Sequence, residues 1–427
     1  MFNQYKIFFS DAMTLIGATT LAKIVGVLMV PIVTRLYNPD DFGVVAMILS
    51  ISVIFGTVSA LRYDQAIVLP KDDLESMKLV QISLILVFFT GLMLLLVVFI
   101  VISYITGVVF IDSMGNWLYA VPLIVVLSGG SEVLSHWCTR KTDYKLLGSS
   151  EVSVSFVLSG TRILYGFYNS SSVFGLILGN ILSLISKVAI LTKKISFKDL
   201  CSRPEKDGAT LMSIGKKYSE FPIYSAPTGI LNSSFQVLPV IMLGIFFVPS
   251  VVGLYAMASR ITKLPIDIIS MPIRRIYVQR IAKLRNENKA IKGILIKTTL
   301  GLAAIGIIPF AVIAFFGEEL FSFVLGDKWG QAGIYASILV PWLFSVFAIT
   351  PSSSNFVVLK KQALWFRIQL FNAAAGLSSF VVGGILGMSV ESLLLMFSVL
   401  GVCVNAIAFF ISLSITTKLD ACLSECQ

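Results

Sequence analysis

Residues 79–110, LVQISLILVFFTGLMLLLVVFIVISYITGVVF, carry no charge at all. A helix needs roughly 20 apolar residues to cross about 30 Å of hydrocarbon, and this run exceeds that length. Runs of the same kind recur along the chain. Of its 427 residues 56% are hydrophobic and 13% charged, and the mean hydropathy of +0.90 lies outside the range of soluble globular proteins. No alternating ten-residue pattern of barrel strands is present, so helices must satisfy the backbone within the bilayer. The fold class is an all-α polytopic membrane protein.

Apolar runs bounded by charge clusters, Gly, Pro or Asn predict twelve transmembrane helices, near 12–34, 42–61, 79–107, 117–138, 147–168, 173–192, 220–246, 251–271, 293–316, 332–357, 365–387 and 392–415. The first is too long, and too poor in a small-residue cleavage site, for a signal peptide, and reads as an uncleaved first helix. With both termini inside, Lys and Arg collect in the inner loops, among them Arg62, Lys71, Lys78, Arg140, Lys141 and Arg274 to Lys292, whereas the outer loops hold only Arg35 and Lys328. The positive-inside rule accounts for that asymmetry. The net charge of +10 is therefore topological and does not point to nucleic acid. The inner basic loops are also candidates for contact with membrane lipid. Five scattered cysteines, with no CxxC pair, give no disulfide or zinc framework.

The longest hydrophilic stretch, 193–218, follows the sixth span and predicts an N-terminal six-helix lobe (1–192), a cytoplasmic linker (193–218) and a C-terminal six-helix lobe (219–427). A shift of 210 residues lays YNPDDFGVVAMILSI (37–51) over FVPSVVGLYAMASRI (247–261), matching Pro39 with Pro249, Gly43 with Gly253 and Met47 with Met257. A shift of six spans keeps both halves in the same orientation, as in parallel repeats around an alternating-access cleft.

Several spans gather polar residues at helical spacing. The eighth carries Arg260, Lys263 and Asp267, the fifth Glu151, Ser155, Ser159 and Arg162, the fourth Ser128, Glu132 and His136, and the first Lys23. The seventh offers Thr228, Asn232 and Gln236 and is interrupted by Pro222, Pro227 and Pro239. Lys187 and Lys297 lie near helix ends, where snorkelling to the headgroups accounts for a lysine, and His136 is by default a helix-end polar residue. A cation at mid-bilayer costs roughly 2.5–3.5 kcal/mol, so Arg260 and Lys263 on one face call for water, an acidic partner or an anionic ligand. Asp267 is the in-helix partner expected for Lys263. Cations within the spans (Lys23, Arg162, Lys187, Arg260, Lys263, Lys297) outnumber acids (Glu132, Glu151, Asp267), a balance that favours a phosphate, a pyrophosphate or an acidic sugar. The chain has no P-loop, GxGxxG or HExxH motif, so no enzyme class is indicated and transport needs no nucleotide site in this chain.

Four stretches, GDKWGQAGIYASILVPWLF (326–344) followed by Pro351, GLYAMASRITKLPIDII (253–269), LRYDQAIVLPKDD (61–73) and KIVGVLMVPIVTRLYNPDDFG (23–43), resemble the Wzx-like oligosaccharide-lipid flippases of the bacterial polysaccharide exporter family, within the superfamily that also holds the MATE drug exporters. The resemblance implies twelve helices in two six-helix lobes around a central cavity in the bacterial cytoplasmic membrane. It implies movement of undecaprenyl-pyrophosphate-linked oligosaccharide from the cytoplasmic to the periplasmic leaflet for O-antigen or capsule. A polysaccharide polymerase and a chain-length regulator are the protein partners to expect. Lys23 and Arg260 fall on family cavity-cation positions, and Arg62 belongs to the matching RYD motif. Lys263 and Arg162 join these cations from their place in the sequence alone. Thr228, Asn232 and Gln236 are the expected sugar contacts, and Asp267, Glu132 and Glu151 the candidates for coupling to a proton or sodium gradient. No cofactor is expected. IRRIYVQRIAKLR (273–285) is more basic than the resemblance leads one to expect. The rival transporter reading is a MATE-type ion-coupled small-molecule exporter, whose cavity would be acid-dominated. A polymerase would require a large outer loop or a catalytic acid pair.

Overall fold

The computed structural model describes residues 2–105, 107–169, 172–194 and 210–425, with the side chains of 2–16, 109, 194 and 422–425 outside the description. Residues 195–209 of the expected linker lie outside the described residues. Every regular element described is helical. In chain order these are α1 (Phe2–Leu36), α2 (Pro39–Val58), α3 (Tyr63–Ala66), α4 (Asp73–Tyr104), α5 (Val109–Met114), α6 (Ala120–Arg140), α7 (Tyr144–Tyr168), α8 (Val173–Leu191) and α9 (Leu211–Lys217). There follow α10 (Ala226–Phe246), α11 (Pro249–Thr262), α12 (Met271–Asn286), α13 (Lys292–Leu325), α14 (Gly330–Val358), α15 (Gln362–Ile385) and α16 (Val390–Glu425).

Each of the twelve expected spans falls on a helix, and ten of them are long and apolar enough to cross a membrane. The other two are 147–168 and 251–271. The first is α7, whose Glu151 and Arg162 lower its hydropathy. The second is α11 of only 14 residues, continued by a π-helical segment, Ile266–Ser270. Thus the two segments least like ordinary membrane helices each carry charges of both signs, Glu151 with Arg162 and Asp267 with Arg260 and Lys263.

Helix starts follow local chemistry. The Asn38 amide donates to the Asp41 carboxylate (3.2 Å) and Pro39 opens α2, while Pro249 opens α11 at the position that the 210-residue shift pairs with it. Asp72, Asp143 and Ser172 accept from the first-turn amides of Leu74, Leu146 and Phe174 to cap α4, α7 and α8. The amides of Ile291 and Lys292 at the start of α13 donate to Asp420 of α16, at 3.0 and 2.9 Å.

The chain forms two compact units, Met1–Val252 and Gly253–Gln427. In the first, α7 packs against α1 and α8, α6 packs against α2, α4 and α8, and α10 lies along α2. In the second, α14 packs on both α13 and α16. Among lipid tails apolar burial does not distinguish one helix contact from another, so close backbone approach and interhelical hydrogen bonds carry more of the association. A Cβ on Gly333 of α14 would lie 2.1 Å from the Gly317 carbonyl oxygen of α13, so both positions need glycine for the backbones to touch. Beside them the Ser337 hydroxyl donates to the Ile313 carbonyl at 2.8 Å. Asn355 of α14 binds α16 and α12 together: its amide donates to Ser412 (3.0 Å) and its carbonyl accepts from Tyr277 (2.9 Å).

Candidate functional site

In the first unit a cavity of about 590 Å³ opens among α2, α6, α7, α8 and the turn around α3. Its polar lining includes Arg62, Asp64, Gln65, Glu132, His136 and Asn180, with the hydroxyls of serines and a threonine beside them. Glu132 and His136 lie one turn apart on α6, and His136 Nε2 is 3.4 Å from Asp64 Oδ2. Arg62 is half-buried and packs on α10, where a Cβ at Gly229 would lie 2.7 Å from its Nε and Nη2. A side chain at 229 would displace that guanidinium. Next to Arg62, burial pushes the Tyr63 phenol up from its ordinary pKa, which keeps it a donor to the Gly215 carbonyl at 2.9 Å.

Lys187 of α8 corrects a reading of the sequence. It does not snorkel away from the bundle. Its side chain is only 13% exposed, and its ammonium sits 2.9 Å from Glu151 of α7 and 3.7 Å from Glu132 of α6. Two carboxylates from different helices thus share one cation, and one of them, Glu132, lines the cavity. The sequence could not show this, because the neighbours of α8 are set by packing order.

The polar residues of the seventh span face outward from α10. Ala226, Gly229, Ser233, Pro239 and Leu243 are buried, whereas Thr228, Asn232 and Gln236 form an exposed stripe at four-residue intervals. Thr228 donates to the Tyr224 carbonyl (2.8 Å), and among the described residues no hydrogen bond engages the amides of Asn232 and Gln236. Lys23 is exposed on α1. Arg162 is placed differently from the other expected cations. It is buried in the packing of α7, with its stem against Gly179 of α8 and its carbonyl accepting from Tyr37 at 2.8 Å, and it is not part of the cavity lining.

In the second unit Arg260 is exposed near the end of α11, with no carboxylate within 4.0 Å among the described residues. Lys263 is half-buried, its ammonium 5.9 Å from the centre of the Trp342 ring of α14. The expected Lys263–Asp267 ion pair is not formed, and Asp267 is exposed. Between the two residues the backbone keeps its ordinary four-residue bond, the Asp267 amide donating to the Lys263 carbonyl at 3.2 Å, and the Lys263 ammonium lies toward Trp342 instead. Along the segment Thr262, Ile266, Ser270, Tyr277, Ile281 and Leu284 are buried, while Arg260, Asp267, Arg275, Gln279 and Lys283 are exposed. The unusually basic stretch 273–285 is therefore α12, with Arg274 tied to Ser354 (3.0 Å) and Arg275 and Arg280 exposed. Among the described residues no group of three His, Cys, Asp or Glu side chains is placed to hold a metal ion.

A family model described as "Polysaccharide biosynthesis protein" matches residues 32–333. Among solved structures, an inward-closed form of the lipid II flippase MurJ superposes with a TM-score of 0.68 at 12% identity, over 96% of this chain and 90% of that one. An inward-facing multidrug resistance MATE transporter of the MOP superfamily gives 0.67 at 13% identity, over 94% and 96%. A MOP superfamily transporter from Pyrococcus furiosus, whose binding pocket is described as of reverse polarity, gives 0.57 at 13%, over 96% and 94%. No curated protein matches the sequence. At these identities the likeness is one of fold, the all-helical transporter fold of this superfamily.

Proposed function

We propose that this chain, which belongs to the polysaccharide biosynthesis protein family, translocates undecaprenyl-pyrophosphate-linked oligosaccharide repeat units by alternating access. The movement runs from the cytoplasmic to the periplasmic leaflet of a bacterial inner membrane, with both termini cytoplasmic, and supplies O-antigen or capsule assembly. Such a substrate has a charged, hydroxyl-rich headgroup that cannot cross hydrocarbon and a lipid tail that need not leave it. The observation that carries the reading is Arg260, an exposed guanidinium in a membrane bundle with no acidic partner within 4.0 Å among the described residues. Retaining an unpaired cation there is costly, and an anionic ligand offsets the cost.

In this reading Arg260 is a diphosphate contact, and Lys23, Arg62 and Lys263 are each proposed for the same anion chemistry, every residue considered on its own unit. The free amides of Asn232 and Gln236, with Thr228, bond the sugars. Arg162, buried between helices, supports the bundle electrostatically. The carboxylates Glu132, Glu151 and Asp267 are the groups through which a proton or sodium gradient would act, and polymerase and chain-length regulator receive the product. Binding must remain moderate for release to keep pace.

Deletion of the gene tests the assignment in the cell. Lipid-linked repeat units accumulate on the inner leaflet and surface polymer disappears. A deletion strain with intact surface polysaccharide and altered drug sensitivity refutes the flippase reading and favours the small-molecule exporter.

A further inference from the structure

Arg140, the last residue of α6, has the look of an ordinary inner-loop charge, yet all three of its guanidinium nitrogens are engaged. Nε donates to Asp73 Oδ1 at 2.9 Å, Nη1 to the carbonyls of Pro70 (2.6 Å) and Ile67 (3.3 Å), and Nη2 to the carbonyl of Lys71 (3.3 Å). Lys141 also pairs with Asp73. The group is 10% exposed. A topological charge needs none of these contacts, since any cation on the inner side satisfies the positive-inside rule.

What Arg140 gathers is the far side of the turn that carries Arg62 and Asp64. That turn departs from α2 through two consecutive non-glycine residues with left-handed backbone, Leu61 (φ 47°) and Arg62 (φ 64°). Such a conformation is unfavourable for L residues and persists only where the surroundings over-determine it. Besides His136, which faces Asp64 at 3.4 Å, three sets of hydrogen bonds from other elements hold it. Thr90 donates to the Ser59 carbonyl (3.0 Å) before the turn, Tyr63 donates to Gly215 (2.9 Å) within it, and Arg140 collects the carbonyls of 67, 70 and 71 after it. The Arg140 cluster supplies the greatest number of these bonds. Arg62 in turn packs its guanidinium over Gly229 of α10.

We propose that Arg140 is a positioning residue: it sets the backbone of the turn that presents Arg62 and Asp64 to the cavity, and acts on ligand only through Arg62. The second half rests on the reading that Arg62 meets the diphosphate. Only a planar fork can bond three carbonyls and a carboxylate at once, so lysine, which keeps the charge and the topology, does not replace it.

The test uses the full-length protein in lipid nanodiscs with Arg140→Lys, Arg140→Gln and Arg62→Gln. Amide exchange over residues 61–72 rises about tenfold in both Arg140 variants. Undecaprenyl diphosphate, the probe, binds about fivefold more weakly to Arg140→Lys and to Arg62→Gln, and Arg140→Lys adds no further loss in the Arg62→Gln background. Wild-type exchange rates in Arg140→Lys overturn the positioning role whatever the function. If exchange rises while Arg62→Gln binds the probe as the wild type does, Arg140 still positions the turn and it is the diphosphate reading of Arg62 that fails. An additive loss in the double variant overturns action through Arg62.

Discussion

Arg260→Ala reduces surface-polysaccharide assembly to the level of the gene deletion while the protein reaches the membrane in normal amount. Insertion does not suffer, because replacing a charge with alanine makes the span more apolar. Function does suffer, because among the described residues no carboxylate neutralises this guanidinium, and no neighbouring cation on the helix substitutes for it. Lys263 is turned to the Trp342 ring, and the next exposed cation, Arg275, lies about four turns away. Arg260→Lys restores activity only in part, since an ammonium cannot grip two phosphate oxygens in one plane. Complementation of the deletion strain, with membrane abundance measured by immunoblot, checks both halves. Wild-type activity in Arg260→Ala would remove Arg260 from the ligand site.

Lys187→Met destabilises the protein by about 2 kcal/mol, and Glu151→Gln in the same chain recovers most of the loss. Breaking a fully buried ion pair costs ~3–5 kcal/mol because the remaining charge is stranded. Here Glu132 is 58% and Glu151 40% exposed, so water reduces the penalty. Glu151 is the better suppressor because it is the nearer carboxylate, 2.9 Å against 3.7 Å. Thermal unfolding of the three proteins in one detergent decides it. Unchanged melting of Lys187→Met would mean that the ammonium holds neither carboxylate, and would return Lys187 to the role of a lysine snorkelling at a helix end.

The helical fold was legible because apolar run length and inner-loop charge are properties of the sequence itself. The charged segments were legible for the same reason, since Arg260 and Glu151 stand out against apolar neighbours. What escaped depends on backbone geometry and on the order of packing. Lys263 and Asp267 at four-residue spacing read as a pair, yet the Lys263 ammonium lies toward the Trp342 ring of α14, a neighbour that packing supplies. Leu61 and Arg62 adopt left-handed backbone without the glycine that usually signals it. Lys187 and Arg140 were visible as charges, but their partners are distant in sequence and became apparent only once α8 lay against α6 and α7 and once α6 ended beside the turn after α3. Arg162 stood among the expected cations by its spacing on α7, and nothing in that spacing shows that its stem packs on Gly179.

Purified protein in sealed vesicles, supplied with a fluorescent undecaprenyl-diphosphate-linked sugar in one leaflet, allows the most direct measurement. The quantity is the rate at which the label becomes accessible to a quencher on the other side. Wild-type protein accelerates this at least about tenfold over protein-free vesicles, and Arg260→Ala does not. Equal rates with and without the protein, or equal acceleration by Arg260→Ala, would contradict diphosphate-lipid translocation through a cationic site.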